Sequence, residues 1–221
     1  MGGIKNWWYY YKWYVLLGLL LLVILLHRMR SAFGWFSREP DLQIAYIGKT
    51  SLPDDTAKAV VQSFTDLVSD YNKDGSILVQ LNQYVSGSDA SSGDDSFYYQ
   101  YASEIEIIGD INDCESYLFL PEDPLDFQRR FQILATPDGN YPEDADFTVE
   151  GKGFYWKDCS LLADQDLSSY TISALGYSVS GTNQELLSNL FISRRYYDES
   201  KTPACKDAYD NLWKTISSTA K

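Results

Sequence analysis

The sequence predicts a three-layer α/β domain with a mainly parallel sheet, placed after an N-terminal transmembrane helix. Residues 7–26 (WWYYYKWYVLLGLLLLVILL) form an apolar run of about the length that crosses a bilayer as a helix. Beyond this run, segments of strand length alternate with segments of helical periodicity in the order β-α-β-α-β-α. Such alternation is typical of a parallel sheet covered by helices on both faces. We therefore expect an anchor and tether in residues 1–40 and one folded domain in residues 41–221.

The apolar run has the features of an uncleaved signal anchor. Its only charged residue is Lys12, and its first half is rich in tryptophan and tyrosine, which favour the headgroup level of a membrane. No small-x-small cleavage site follows it, which argues against a removable signal peptide. Two lysines precede or interrupt the run and three arginines follow it (Lys5, Lys12, Arg28, Arg30 and Arg38). This charge difference is too small to fix the orientation by itself.

The composition of the domain excludes several function classes. Residues 41–221 contain 13 Lys and Arg against 30 Asp and Glu, a net charge of −17, and such a surface repels nucleic acids. The only histidine, His27, precedes the domain, which excludes Ser-His-Asp and Cys-His catalysis and histidine-ligated zinc. Cys114, Cys159 and Cys205 form no CxxC pair, and they leave one disulfide or three free thiols as alternatives.

The first strand-helix-strand unit gives the clearest fold prediction. Residues 42–47 form a short apolar run ended by Gly48, and a helix is expected over residues 54–72 after Pro53. A strand is predicted over residues 77–85. The short connections favour a parallel crossover, so we expect the two strands to be neighbours. The helix should pack on them through one apolar face (Ala57, Val60, Val61, Phe64, Leu67, Val68 and Tyr71).

The same alternation continues in the middle of the domain. Helical spacing over residues 97–108 predicts an apolar core face made of Tyr98, Tyr101, Ala102, Ile105 and Ile108. A buried strand is predicted at residues 117–120, followed by a helix that begins at Pro124. Residues 136–152 have the composition of a loop.

The last third of the chain is predicted to add two strands and two helices. A strand or hairpin arm is expected over residues 153–162, and one strand over residues 170–177. Thr182 and Glu185 form a capping box that starts a helix, expected to bury Leu186, Leu187, Leu190 and Phe191. A final helix from residue 202 should bury Cys205, Ala208, Tyr209, Leu212, Trp213 and Ile216.

The segment Asp70-x-Asn72-x-Asp74-Gly75 is the opening of an EF-hand type calcium loop. However, the twelfth position is Leu81 instead of a bidentate glutamate, and a strand follows instead of a helix. A helix end with solvating carboxylates is therefore the favoured interpretation, with a weak calcium site as the alternative. No metal site and no cofactor are predicted.

Ligands of open α/β sheets bind beyond the carboxyl ends of the strands. The tentative ligand-binding residues at this edge follow the first three predicted strands: Lys49, Thr50, Ser51, Tyr84, Ser86, Glu122 and Asp123. Gly48-Lys49-Thr50 is not a phosphate-binding loop, because Gln43 stands where the upstream glycine is required. The carboxylates are too scattered to identify a catalytic pair, so no catalytic residue is predicted.

Several segments resemble those of membrane-anchored proteins of gut clostridia, whose outer domains are similar to extracellular solute-binding proteins. The resemblance lies in residues 7–26 quoted above, in PDLQIAYIGKTSLPDD, DYNKDGSILVQLNQYVSG and CESYLFLPEDPLDFQR, and in YTISALGYSVSGTNQELLSNLF. It covers about residues 7–135 and 170–195. The resemblance implies a periplasmic-binding-protein-like fold, and the length of the domain suffices for a single lobe.

The resemblance also implies a domain outside the cell, attached by a single-pass anchor and working beside a transporter or another membrane protein. We therefore expect a non-enzymatic ligand- or partner-binding module. The first alternative is a structural or interaction module without a small ligand. The second is a carboxylate-dependent hydrolase.

Overall fold

This computed structural model describes residues 11–20, 22, 38–86, 94–141, 146–174, 177–197 and 203–220. The chain divides into two compact units, Met1–Glu39 and Pro40–Lys221. In the first unit, residues 11–20 form helix α1. None of the helices in the described ranges has both the length and the apolar character needed to cross a membrane. The predicted span of residues 7–26 lies partly outside these ranges and stays a prediction.

The second unit is a mixed α/β domain built on a five-stranded, mostly parallel sheet. Its strands are Leu42–Gly48 (β1), Val79–Val85 (β2), Leu118–Pro121 (β3), Gly153–Tyr155 (β4) and Phe191–Arg194 (β7). They lie in the order β2-β1-β3-β7-β4. Strand β1 pairs in parallel with both β2 and β3, and the β1–β2 pair confirms the predicted parallel neighbours. Strand β7 is antiparallel to both β3 and β4.

Helices and one hairpin complete the domain. The helices are α2 (Asp54–Thr65), α3 (Asp94–Asp113), α4 (Pro124–Phe131), α5 (Ser160–Ala163), α6 (Asn183–Leu187) and α7 (Lys206–Ser217). A 3-10 turn, Trp156–Asp158, precedes α5. Strands β5 (Ser169–Ala174) and β6 (Tyr177–Thr182) form a separate antiparallel hairpin.

The core lies on both faces of the sheet, as the alternation of side chains along β1 requires. Ile44 and Tyr46 contribute to one buried cluster, together with side chains of α2 and α7. Ala45 and Ile47 contribute to the other cluster, together with side chains of α3 and α4. The predicted three-layer arrangement is therefore present in this domain.

Helix α2 ends seven residues earlier than predicted, at Thr65 instead of residue 72. The apolar periodicity continues because Leu67, Val68 and Tyr71 still pack against the core from an irregular segment. The fully buried carboxylate of Asp41 fixes this segment by accepting hydrogen bonds from the backbone N–H of Tyr71 and of Leu78, at 3.2 and 2.9 Å. The apolar periodicity of this irregular segment therefore results from packing against the core and does not indicate a helix.

The predicted core face of α3 is wrong, because those side chains point to solvent. Tyr101 and Ile105 are 58% and 54% exposed, whereas Ile107 and Asp110 are 1% and 2% exposed. The core tolerates Asp110 because its carboxylate accepts hydrogen bonds from the Tyr84 hydroxyl and from Ser116. Because the buried face of α3 contains the polar residue Asp110, the hydrophobic pattern of the sequence did not identify this face.

Two predictions near the end of the chain are also corrected. The single strand expected over residues 170–177 is instead the hairpin β5–β6. The helix started by Thr182 ends at Leu187, and Phe191 begins strand β7 instead of continuing the helix. The Thr182 cap itself is confirmed, since Oγ1 accepts a hydrogen bond from the N–H of Glu185 at 3.3 Å. Helix α7 buries Tyr209, Leu212, Trp213 and Ile216 as predicted.

Candidate functional site

An open cavity of about 1290 Å³ lies at the carboxyl ends of β1, β2 and β3. Four of the predicted rim residues line it, namely Lys49, Ser86, Glu122 and Asp123. Sequence reasoning missed other lining residues, among them the polar or aromatic residues Glu104, Asp126, Arg130 and Tyr155. The predicted alternation of strands and helices was thus sufficient to bring the first four residues to one edge of the sheet. The residues that α3, α4 and β4 contribute could be identified only from the tertiary structure.

Glu122 is fixed at the rim by two donors. The Tyr46 hydroxyl donates to Oε1 at 2.7 Å, and the backbone N–H of Lys49 donates to Oε2 at 2.9 Å. Gly48 makes this possible, since a Cβ at that position would collide with the Tyr46 hydroxyl group. The carboxylate therefore has a defined position although its side chain is exposed.

The donor role of Tyr46 holds at all physiological pH values. Burial raises the pKa of its hydroxyl, and the hydrogen bond to the Glu122 carboxylate raises that pKa further. The ordinary tyrosine pKa of about 10 is already above neutrality, so Tyr46 stays protonated. Its proton points at Glu122, with the carbonyl oxygen of Thr50 as a second acceptor at 3.0 Å.

On the other side of the cavity, Arg130 of α4 contacts α3 and the residue that follows β2. Its Nη1 donates to Ser86 Oγ at 2.6 Å, and its Nη2 donates to Glu104 Oε1 at 2.9 Å. Asp126 Oδ2 lies 3.6 Å from Nη1. Because Arg130 is engaged by two carboxylates, it adds rigidity to the cavity wall and little free positive charge.

Asp123 has a local structural role besides its place on the cavity. Its Oδ1 accepts a hydrogen bond from the N–H of Asp126 at 3.0 Å and so caps helix α4. Pro124 follows in the first turn, where its missing N–H removes no helical hydrogen bond.

Tyr155 provides an aromatic wall from the strand at the opposite edge of the sheet. Its ring packs edge-on against Phe191, with the ring centroids 5.5 Å apart, and 39% of the residue is exposed. Lys157 Nζ lies 5.4 Å from the centre of the same ring, within reach of a cation–π contact. No sequence signal marked Tyr155, since its position depends on β4 pairing with β7.

Three of the predicted ligand residues do not line the cavity. Thr50 and Ser51 are exposed beside it. Tyr84 is only 7% exposed and donates to Asp110 Oδ2 at 2.7 Å on the α3 side of the sheet. Burial and this hydrogen bond raise the pKa of Tyr84, so it acts as a permanent structural donor.

The calcium-like loop is closed by its own backbone. Asp70 accepts hydrogen bonds from the N–H groups of Asp74 and Gly75, at 3.2 and 2.9 Å. Asp74 Oδ1 accepts one from the N–H of Ser76 at 2.9 Å, and Gly75 has the positive φ of 86° that this bend requires. In the described parts of the chain, no group of three or more His, Cys, Asp or Glu is arranged to hold a metal ion.

The three cysteines are free thiols, which decides between the two alternatives left by the sequence. Cys159 and Cys205 are buried, and Cys114 is half-buried.

Searches with protein-family models, against curated proteins and against solved structures give no match for this chain. The similarity to solute-binding proteins therefore rests on the sequence segments quoted above and stays a prediction.

Proposed function

We propose that the protein is a membrane-anchored, extracytoplasmic module related to solute-binding proteins, with the fold of a single lobe. It binds a small polar ligand at the carboxyl edge of its sheet, without catalysis, beside a transporter or another membrane protein. The observation that carries this proposal is the open cavity where Lys49, Ser86, Glu122 and Asp123 meet.

The charges of the cavity favour a ligand that donates hydrogen bonds, such as an amine or a polyol. Four carboxylates (Glu104, Glu122, Asp123 and Asp126) and two cations (Lys49 and Arg130) line it. An anionic ligand would therefore meet a net negative wall. Tyr155 offers an apolar surface for the carbon atoms of such a ligand.

The size of the cavity supports a site completed by a second surface. Enclosed ligand pockets usually measure about 300–1,000 Å³. The larger and open cavity of this domain is what one half of a cleft provides. A neighbouring membrane protein would supply the other half.

A ligand panel tests this function on the full 221-residue chain. Thermal unfolding is measured with amines, polyols and small carboxylates, and hits are confirmed by titration calorimetry. An amine or polyol should raise the melting temperature of the wild type, since binding to the folded state stabilises it. Glu122→Gln should abolish the shift, whereas Thr50→Ala, an exposed control beside the cavity, should retain it.

Two results would contradict the proposal. In the first, only carboxylates stabilise the protein. In the second, the ligand binds Glu122→Gln as tightly as the wild type.

A structural or interaction module without a small ligand is the second candidate, and the β5–β6 hairpin favours it. Ile172, Tyr177 and Val179 are 46%, 80% and 61% exposed, and residues 167–184 contain no charged side chain. An uncharged, partly apolar hairpin on an acidic domain suits a protein contact. The carboxylate-dependent hydrolase gains no comparable support, because Glu122 holds Tyr46 and Lys49 while Asp123 caps α4.

A further inference from the structure

Helix α3 presents a row of large apolar side chains to solvent. Tyr98, Tyr101, Ile105 and Ile108, called the α3 row below, are 69%, 58%, 54% and 48% exposed. They follow one another at steps of three, four and three residues. This is the a/d spacing with which one helix packs along another in a coiled coil.

The opposite face of α3 is the one that attaches it to the domain. Ile107 is buried in the sheet core, and Asp110 is buried among hydrogen-bond donors. Ser103 Oγ accepts a hydrogen bond from the N–H of Val85 at 2.7 Å, which ties the helix to the end of β2. The α3 row therefore lies on a helix that the domain already holds in place.

The charge of α3 determines which kind of helix can bind along the α3 row. Asp94–Asp113 contains six carboxylates and no lysine or arginine. Glu106 and Asp113 are exposed, one heptad apart, along one flank of the row. A second copy of this helix would bring like charges together, whereas a helix with basic flanks would be attracted.

The same flank of α3 allows a partner helix to approach closely. Gly109 lies between the row and the acidic residues, and a Cβ at this position would have no atom within 4 Å. A partner helix can thus reach the backbone of α3 at this point.

We propose that the α3 row binds an amphipathic helix of a partner protein, with apolar residues at its a and d positions and lysine or arginine at the flanking positions. Burial of the two isoleucines supplies affinity, and the carboxylates select a basic partner. This interaction is separate from the ligand cavity and does not depend on it.

The test uses two synthetic three-heptad peptides with isoleucine and leucine at a and d, one with lysine and one with glutamate at e and g. Binding to the full-length chain in mild detergent is measured by fluorescence anisotropy. The lysine peptide should bind and the glutamate peptide should not. The double variant Ile105→Gln/Ile108→Gln keeps every charge and should weaken binding by about tenfold or more, since it removes apolar burial alone.

Two controls separate the contributions of charge and stability. Glu106→Gln/Asp113→Asn should weaken binding at low salt and match the wild type at high salt, where screening removes the charge attraction. The isoleucine variant should keep its urea midpoint, because the replaced side chains are about half exposed.

Three outcomes would overturn the proposal. The first is equal affinity of the wild type and Ile105→Gln/Ile108→Gln for the lysine peptide. The second is equal binding of both peptides by the wild type. The third is a wild-type dimer in sedimentation velocity that this double variant abolishes, because the row would then bind a second copy.

Discussion

At the scale of single residues, each buried polar group discussed above is held by specific donors or acceptors. Asp110 is 2% exposed and accepts from the Tyr84 hydroxyl, from the backbone of Ser116 and from its side chain. Unpaired buried groups are costly, which explains why such a carboxylate stays fully hydrogen-bonded. The position of Tyr84 in this group also explains why it does not reach the ligand cavity.

Tyr84→Phe should therefore lower stability without affecting ligand binding. Removing the hydroxyl deprives the buried Asp110 of one donor, and we expect a loss of about 1–3 kcal/mol in the free energy of unfolding. Urea denaturation measures it, with Tyr177→Phe, at a tyrosine that is 80% exposed on β6, as the control. A variant as stable as the wild type would show that Asp110 does not need this donor.

The pair Asp146–Lys152 should make stability depend on acid pH. Lys152 Nζ, on a side chain 2% exposed, lies 2.9 Å from Asp146 Oδ2. The hydrogen bond from Lys152, followed by those from Thr148, lowers the pKa of Asp146 to about 2. Its usual pKa is about 3.9. Because the folded-state pKa is the lower one, the contribution is present above about pH 4 and is lost as the pH falls toward 2.

Asp146→Asn tests this assignment. The variant should unfold at lower urea concentration than the wild type at pH 7, and its stability should change less between about pH 4 and pH 2. Asp138→Asn, at an exposed position in the same loop region, should behave like the wild type. Identical pH profiles for wild type and Asp146→Asn would rule out this pair as the source.

At the scale of elements, the sequence correctly predicted those helices and strands in which the apolar residues of the pattern are the buried ones. The β1-α2-β2 unit is the clearest case, because Leu42, Val60 and Phe64 mark the core faces unambiguously. The same reasoning placed Lys49, Ser86, Glu122 and Asp123 at one edge, because they follow the ends of parallel strands. The prediction of Tyr84 as a ligand residue was wrong because Tyr84 lies within β2, where the alternation of side chains places it on a face of the sheet.

The other failures share a physical cause. The apolar row of α3 has the spacing of a buried face, and periodicity alone cannot distinguish packing on the sheet from an exposed row. In the hairpin, the apolar positions shift from even numbers in β5 (Tyr170 and Ile172) to odd numbers in β6 (Tyr177 and Val179), and the prediction of a single strand did not use this shift. In each case the deciding contacts, Asp110 to Tyr84 and Ile172 opposite Val179, are made by residues outside the local segment or across the turn.

Phe64→Ala should measure how much the domain depends on α2. Phe64 is fully buried and packs edge-on against Trp156 with ring centroids 6.0 Å apart. We expect a loss of about 3–5 kcal/mol, which threatens a domain of ordinary stability. Lys58→Ala, on the exposed face of the same helix, should cost less than about 0.5 kcal/mol. Equal urea midpoints for the two variants would contradict the packing described for α2.

At the scale of the whole molecule, charge separates the chain into two regions. Residues 1–40 contain five Lys and Arg and one Asp or Glu, whereas residues 41–221 have a net charge of −17. Long domains are translocated largely regardless of the charges that flank an anchor. An acidic domain outside the cell is therefore compatible with the three arginines that precede it.

Protease treatment of intact cells tests this location. If the domain is outside, the protease should remove it and leave a short N-terminal fragment in the membrane. A cytoplasmic protein marker should stay intact in the same sample. Digestion of the domain only after lysis would show that it faces the cytoplasm.

The central place of β1 in the sheet has a consequence for the order of synthesis and folding. The first strand made is flanked by β2 and β3, and β3 obtains its other neighbour only from residues 191–194. Until those residues leave the ribosome, the nascent sheet has an unsatisfied edge at β3. We expect folding to finish late and comparatively slowly, because the closing pair Phe119–Ser193 joins distant parts of the chain. An unfinished sheet during synthesis is the state that export through a secretion channel requires, so late closure would agree with the proposed location of the domain.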